Sequence, residues 1–221
     1  VVSSAPLVMN LYHNLDYVFN NPFLFIDRFD GRKDFFLAEG KELEGRTWDT
    51  NFVADVRALP LLQWKERGGG GANRRIELTD STLCAHVSQF SVGSYKKAHR
   101  HGAGANVIIV QGRGYSLLWE EGKEEERRKV DWHEGSVLVP PNMWYHQHFN
   151  TSPYPAKYLA MRWGSWKYPL FMNVGPFRGN DVSVKEGGNQ IEYADEDPAI
   201  RRLFEGELAK NGVGCKMPPL R

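Results

Sequence analysis

His99 and His101 stand one residue apart, and their spacing is the clearest chemical signal in the chain. On an extended strand, residues two apart project to the same side, so both imidazoles can reach one ion near the strand's end. A third imidazole is on offer downstream, in the alternating stretch Trp144-Tyr145-His146-Gln147-His148 that follows the turn at Pro140-Pro141. Three neutral nitrogens meeting at one point favour iron, copper, nickel or zinc over the hard alkaline-earth ions. The plain alternative for the pair by itself is two half-exposed strand histidines that happen to share a face.

What surrounds the histidines narrows the reading. Gly93 precedes His99 by six positions, and Gly112 follows His101 by eleven; downstream, Gly135, Pro141, His146 and Asn150 are spaced at six, five and four. This grammar resembles the two motifs of the cupins over roughly residues 75–162, with Met143 where the second motif has its inner glycine. The resemblance implies a double-stranded β-helix, the jelly-roll barrel of that superfamily. It also implies His99, His101 and His146 as metal ligands.

The first cupin motif ordinarily carries a glutamate ligand, and its place falls here at Ala105, or at Asn106 with the longer spacing. His99-Arg100-His101 without a following glutamate, and Trp144-Tyr145-His146-Gln147-His148, look like the corresponding stretches of the gentisate and salicylate type ring-cleaving dioxygenases. On that resemblance His148 is a histidine on the substrate side; a fourth ligand, or a residue that supports the ligands, is the other reading. Chemistry agrees with the omission: three neutral imidazoles leave an ion its whole positive charge, so an anionic chelator with two oxygens would bind well. A facial triad on iron(II) also leaves about three positions for substrate and dioxygen.

The expected function is therefore oxidation by dioxygen of a small acidic or hydroxylated, aromatic substrate at iron(II). Zinc with a bound hydroxide is the chemical rival, and nickel, manganese and copper stay open. A non-redox lyase or isomerase and a non-catalytic small-molecule-binding domain are the other two readings, since fold does not determine function. Arg162, on the strand after Asn150, could fix a substrate carboxylate by a bidentate contact if it faces inward, which strand alternation alone makes an even chance. Arg100 should point away from the metal. Trp144 and Tyr145 either line the cavity mouth or pack as ordinary aromatics, His86 reads as a satisfied core or surface histidine, and His13 and His133 belong to no constellation.

The elements that must position these residues read as all-β. Short segments with turns between them cover 75–78, 82–90, 95–100, 106–111, 115–120, 127–132, 136–139, 144–149 and 156–162, which argues for an antiparallel barrel or jelly roll. Asp197 followed by Pro198 and apolar residues at helical spacing predicts a short C-terminal helix. Before residue 72 the pattern is aromatic and aperiodic, so residues 1–71 read as an arm of short strands and turns, and Gly68 to Gly71 as a mobile linker bounding a barrel at 72–221. Val1 to Asn10 ends in Pro-Leu-Val-Met-Asn, echoed by Pro169-Leu-Phe-Met-Asn173. That echo supports a C-terminal half of a two-cupin protein, while a lone barrel with a trimmed start is the equal alternative.

Composition bounds the rest. The 221 residues suffice for a sizeable core, and a formal net charge of +1 gives no electrostatic reason to expect nucleic acid or a membrane surface. Cys84 and Cys215 make no disulfide framework, so a reducing cytoplasm is the expected setting. The aromatic arm fits a homo-oligomer, and the expected partner is a small-molecule substrate.

Overall fold

The structure, a computed structural model, describes residues 40–50, 52–77, 83–102, 105–163 and 181–219. The expectations for Val1 to Asn10, for its echo at 169–173 and for His13 lie outside these residues, as does most of the arm. Among the described residues the chain is mostly β, with one long helix near its C-terminus.

Eleven strands among these residues form two sheets. The larger contains β1 (Lys41–Leu43), β2 (Thr47–Asp49), β4 (Ala72–Glu77), β5 (Leu83–Phe90), β11 (Ala156–Trp163), β6 (Asn106–Gln111) and β9 (Val137–Leu138) in that order, with β3 (Leu62–Gln63) also pairing with β4. The smaller has β10 (Tyr145–Asn150), β7 (Gly114–Trp119) and β8 (Arg128–Trp132) in that order. Two sheets face to face, nearly all antiparallel, are the arrangement of a jelly roll, although no continuous ladder closes them into a barrel among the described residues.

Alternation along the strands decides which groups meet between the sheets. On β5, Ala85 and Val87 join an outer apolar cluster with Ile76 of β4 and Leu59, while His86 is on the opposite face. On β11, Leu159 and Met161 lean on that outer cluster and Tyr158, Ala160 and Arg162 line the interior. Phe90, Val107, Ile109, Leu118, Trp132 and Leu138 fill the apolar part of the space between the sheets. The remaining part is polar, and it is the cavity described below.

The C-terminal helix α1 (Pro198–Lys210) covers the outer face of the smaller sheet. Asp197 caps it by accepting from Ala199 N, and Pro198 occupies its first turn, where the missing N–H costs nothing. Ile200, Phe204 and Leu208 lie one turn apart and pack with Tyr115, Leu117 and Trp119 of β7 and Tyr145 and Phe149 of β10.

Two expectations change. The 95–100 segment is not a continuous strand: it touches β10 at the bridges Tyr95–Phe149 and His99–His146. Its remaining backbone groups are shared out to loops, with Lys97 N donating to Arg67 O, Ile191 N to Ala98 O and Arg100 N to Asn189 O. The glycine run is no mobile linker either. Gly68, Gly69 and Gly70 all take positive φ, at 72, 64 and 60°, and Gly69 O accepts from Ser91 N and from Ser94 Oγ. A methyl at Gly69 would stand 2.7 Å from Tyr95 O. Glycine serves here for a left-handed turn pressed against the chain, not for looseness.

Candidate metal centre

His99 and His146 are directly opposite one another in an antiparallel bridge, exchanging both backbone hydrogen bonds at 3.1 and 2.9 Å. Opposed residues on neighbouring strands present their side chains to the same face, so both rings enter the cavity. His101, two residues on, joins them, and its carbonyl accepts from Met143 N at 3.1 Å. Met143 stands at φ 59°, a left-handed conformation in a turn closed by Trp144 N donating to Pro141 O at 3.2 Å. Met143 stands where the resembling motif would have its inner glycine, and it takes a backbone conformation that glycine adopts more readily.

The ligand atoms of His99, His101 and His146 lie within 4.8 Å of one another and could hold a metal ion. Their ring centres are 4.2 Å apart for His99 and His146, 4.8 Å for His101 and His146, and 5.5 Å for His99 and His101. Each ring turns its Nδ1 to a backbone carbonyl: His146 to Trp144 O at 3.1 Å, His101 to Gly102 O at 3.3 Å and His99 to Lys97 O at 3.4 Å. A carbonyl only accepts, so the proton belongs on Nδ1 and the lone pair on Nε2. That is the tautomer that ligates through Nε2, and the donor set fits a metal ion.

Burial keeps these imidazoles neutral. It pulls His99 well below its ordinary value, helped by Arg67 and the neighbouring rings; His101 is lowered in the same way, with His146 and Arg162 adding to burial. His146 falls to about 4, through burial and despite the opposing effect of its Trp144 carbonyl contact. Neutral imidazoles are the ligating form. Ala105 lines the cavity with a methyl group where the glutamate of the cupin motif would be.

His148 faces the same cavity but is held differently. Its Nδ1 is 2.7 Å from Ser116 Oγ, which also accepts from Trp132 Nε1 at 3.0 Å. Ser116 is fully buried, and its one hydroxyl proton is best used toward His148. Nδ1 is then the acceptor, and Nε2 carries a proton. His148 is a hydrogen-bond donor and not a ligand in this tautomer, which separates it from the other three.

The cavity encloses about 330 Å³. Its wall carries Arg46, Arg67, Arg75 and Arg162 against one carboxylate, Asp181. Asp181 is taken up by Arg67 at 2.6 Å, and Glu77, outside the wall, lies 3.2 Å from Arg75 Nε. The buried Nε of Arg162 has no hydrogen-bond partner among the described residues. Arg162 therefore faces inward, and its register opposite Cys84 of β5 settles what alternation left even.

Several wall residues were not evident from the sequence. His86, read as a satisfied core or surface histidine, sits on the wall in register between Arg75 and Ala160, with its ring edge-on to Tyr158 at 5.9 Å. Arg67, Tyr158 and Asp181 carried no motif. Trp144 and Tyr145 do not line the cavity: Tyr145 stacks on Trp119 on the far side, and Arg128 lies over Trp144. Arg100 also points away, pairing with Glu121 and lying 4.9 Å from the Tyr145 ring centre. His133 is exposed on the opposite hairpin, and Asn150 holds the turn to Tyr154 through its side chain.

No family model and no curated protein matches the chain. Among solved structures it is similar to the cupin domain of Cnp3 from Schizosaccharomyces pombe, at 12% identity and a TM-score of 0.41 over 50% of this chain and 72% of that one. A cupin-2 domain from Rhodospirillum rubrum gives 16% and 0.41 over 48% and 70%. A variant of oxalate decarboxylase from Bacillus subtilis gives 16% and 0.40 over 45% of this chain and 27% of that protein. Likenesses this slight say nothing of what this chain acts on. No helix among the described residues is long and apolar enough to cross a membrane.

Proposed function

We propose that the chain is a metal-dependent dioxygenase of the cupin kind, using iron(II) held by Nε2 of His99, His101 and His146 to oxidise a small, acidic, hydroxylated aromatic substrate. The observation that carries this reading is the donor set: three imidazoles whose ligand atoms lie within 4.8 Å of one another, each with Nδ1 within reach of a backbone carbonyl so that Nε2 is left to ligate, and no carboxylate among them. Such an ion, when bound, supplies Lewis acidity and electrons to an oxygen-rich ligand and dioxygen. Zinc would suit the same donors and would supply only the Lewis acidity.

The protein's own groups then bind and orient. Arg162 offers its guanidinium to a carboxylate of the substrate, and the other wall cations favour an anion throughout the cavity. The Nε2–H of His148 donates to a substrate oxygen, held in place by Ser116 and Trp132. Val107, Ala105 and Ala160 leave an apolar strip of small side chains against which a ring can lie. A cavity of about 330 Å³ suits small substrates.

Metal analysis after anaerobic loading with iron(II), followed by oxygen uptake on a panel of hydroxybenzoates, catechols and their uncharged phenol counterparts, tests the proposal. We expect about one iron per chain, uptake with the acidic members, and a KM raised roughly 10- to 100-fold by Arg162→Met through loss of a charged hydrogen bond. Firm retention of zinc or nickel with no oxygen uptake on any of the panel would overturn it in favour of a lyase or isomerase.

A further inference from the structure

Beside the three histidines lies a buried lysine without a carboxylate. Lys96 is completely buried, and among the described residues no carboxylate pairs with it. Its Nζ donates to Ser88 Oγ and, at 3.0 Å, to Tyr158 Oη. The same nitrogen is 4.6 Å from the ring centre of Tyr158 and 5.3 Å from that of Phe90. A buried ammonium in such surroundings must either give up its proton or acquire an anion beside it. Burial lowers Lys96 below its ordinary value, and of the groups that oppose this the Tyr158 phenol comes first, ahead of Asp181, which Arg67 already holds.

The charges around Tyr158 favour this outcome. Its oxygen receives a hydrogen bond from Lys96, and Ser88 and Arg67 also favour its ionised form. His148 and His86 face it from two other strands, with ring centres at 5.4 and 5.9 Å, and both are neutral through burial. Arg162 is four residues along the strand on the same face, and Asp181, on the wall, is occupied by Arg67. Burial alone would push the phenol up; Lys96, Ser88 and Arg67 outweigh it and bring Tyr158 below its ordinary value. Tyr95, Tyr115, Tyr145 and Tyr193 are all pushed up by burial, which outweighs Arg201 beside Tyr95 and Arg100 beside Tyr145.

We propose that Tyr158, held as a phenolate by Lys96, is the base that takes the hydroxyl proton of a phenolic or enolic ligand entering the cavity, with Lys96 as its positioning residue. The ligand's O–H bond breaks, its proton ends on Tyr158 Oη, and the electron pair stays on the ligand oxygen. Lys96 keeps its ammonium throughout, and nothing is oxidised or reduced. The ligand so prepared is an anion with an oxygen ready to chelate, in a cavity walled by arginines. The choice of ligand rests on the dioxygenase reading, whereas the phenolate does not. It narrows the substrate from any small acid to one with an ionisable hydroxyl.

Ultraviolet difference titration of the full-length protein reads the tyrosinate directly. One tyrosine should ionise ahead of the rest, the step should vanish in Tyr158→Phe, and in Lys96→Met it should merge with the others at higher pH. Anaerobic calorimetry with catechol in two buffers of different ionisation enthalpy reads the proton: none released to buffer by the native protein, and one released by Tyr158→Phe. Absence of an early tyrosine in the native protein overturns the proposal, and this titration decides even if a variant fails to fold. An early tyrosine together with no oxygen uptake would leave the phenolate standing and remove the dioxygenase.

Discussion

Strand β10 separates two regions that treat the same kinds of side chain in opposite ways. Tyr145, Gln147 and Phe149 face helix α1, where Tyr95 Oη donates to Glu196, Gln147 Nε2 meets Glu196 at 2.6 Å, and Arg201 Nε donates to Tyr95 Oη at 3.1 Å. His146 and His148 face the cavity, where Lys96 is buried without a carboxylate and Arg162 Nε has no partner among the described residues. Tyrosines on the helix side are pushed up by burial and nearby carboxylates; Tyr158 on the cavity side is brought down by cations. One side is built to hold the fold together, and the other carries unpaired charge that the fold must hold in place.

The sharpest break of this comparison is a crossed pair of substitutions. His146→Ala should reduce bound iron from about one equivalent to background, since two imidazoles seldom retain what three hold, while shifting the metal-free unfolding free energy by only about 1–2 kcal/mol. Phe204→Ala, in the fully buried heart of the helix contact, should cost about 3–5 kcal/mol of stability. The folded fraction of that variant should still bind iron with native affinity. Equilibrium denaturation beside metal titration measures both, and if Phe204→Ala drained metal from folded protein the two regions would be one.

Ser116 offers a smaller test, because it sits on β7 between the two regions but serves only the cavity. Ser116→Ala leaves the Trp132 indole and His148 Nδ1 without their shared partner, a cost of about 1–3 kcal/mol. With the hydroxyl gone, nothing selects the Nε2–H tautomer of His148. Substrate affinity should fall roughly 10- to 100-fold while metal content stays native. Loss of metal instead would mean that His148 is a ligand after all.

The sequence-readable part of the centre is the part carried by local rules. His99 and His101 share a face because strands repeat every two residues, and His146 is singled out by the resemblance of Gly135, Pro141, His146 and Asn150 to a known motif. Arg67, His86 and Tyr158 reach the same cavity from three separate stretches of chain, with Lys96 bonded to Tyr158 from a fourth, brought together by strand register and loop packing that no local pattern encodes. Arg162 shows the limit directly: its strand was legible and its facing was not. The glycine run misled for a physical reason, since a backbone free to flex is also free to adopt the left-handed turn that docks it against Ser91 and Ser94. The C-terminal helix, with its acidic cap and proline, was the easiest element to read.

That cap provides the finest probe of the helix side. Asp197 is lowered first by its hydrogen bond from Ala199 N and then by Arg127, which it meets at 2.8 Å and which lies over Trp119. A carboxyl whose folded value lies below its unfolded one contributes stability that is present above the unfolded pKa and lost as pH falls through the folded one. Asp197→Ala should therefore cost about 1 kcal/mol near neutral pH, the usual worth of an N-cap. The gap between native and variant should close on acidification through and below the ordinary carboxylate range, since a protonated Asp197 caps no better than a neutral substitute. Denaturation midpoints across that range measure the gap, and metal affinity at neutral pH should not change at all. A gap that persists in acid would assign the cap's contribution to packing against Arg127 and Trp119, and would make the helix side less electrostatic than the pairing at Asp197 implies.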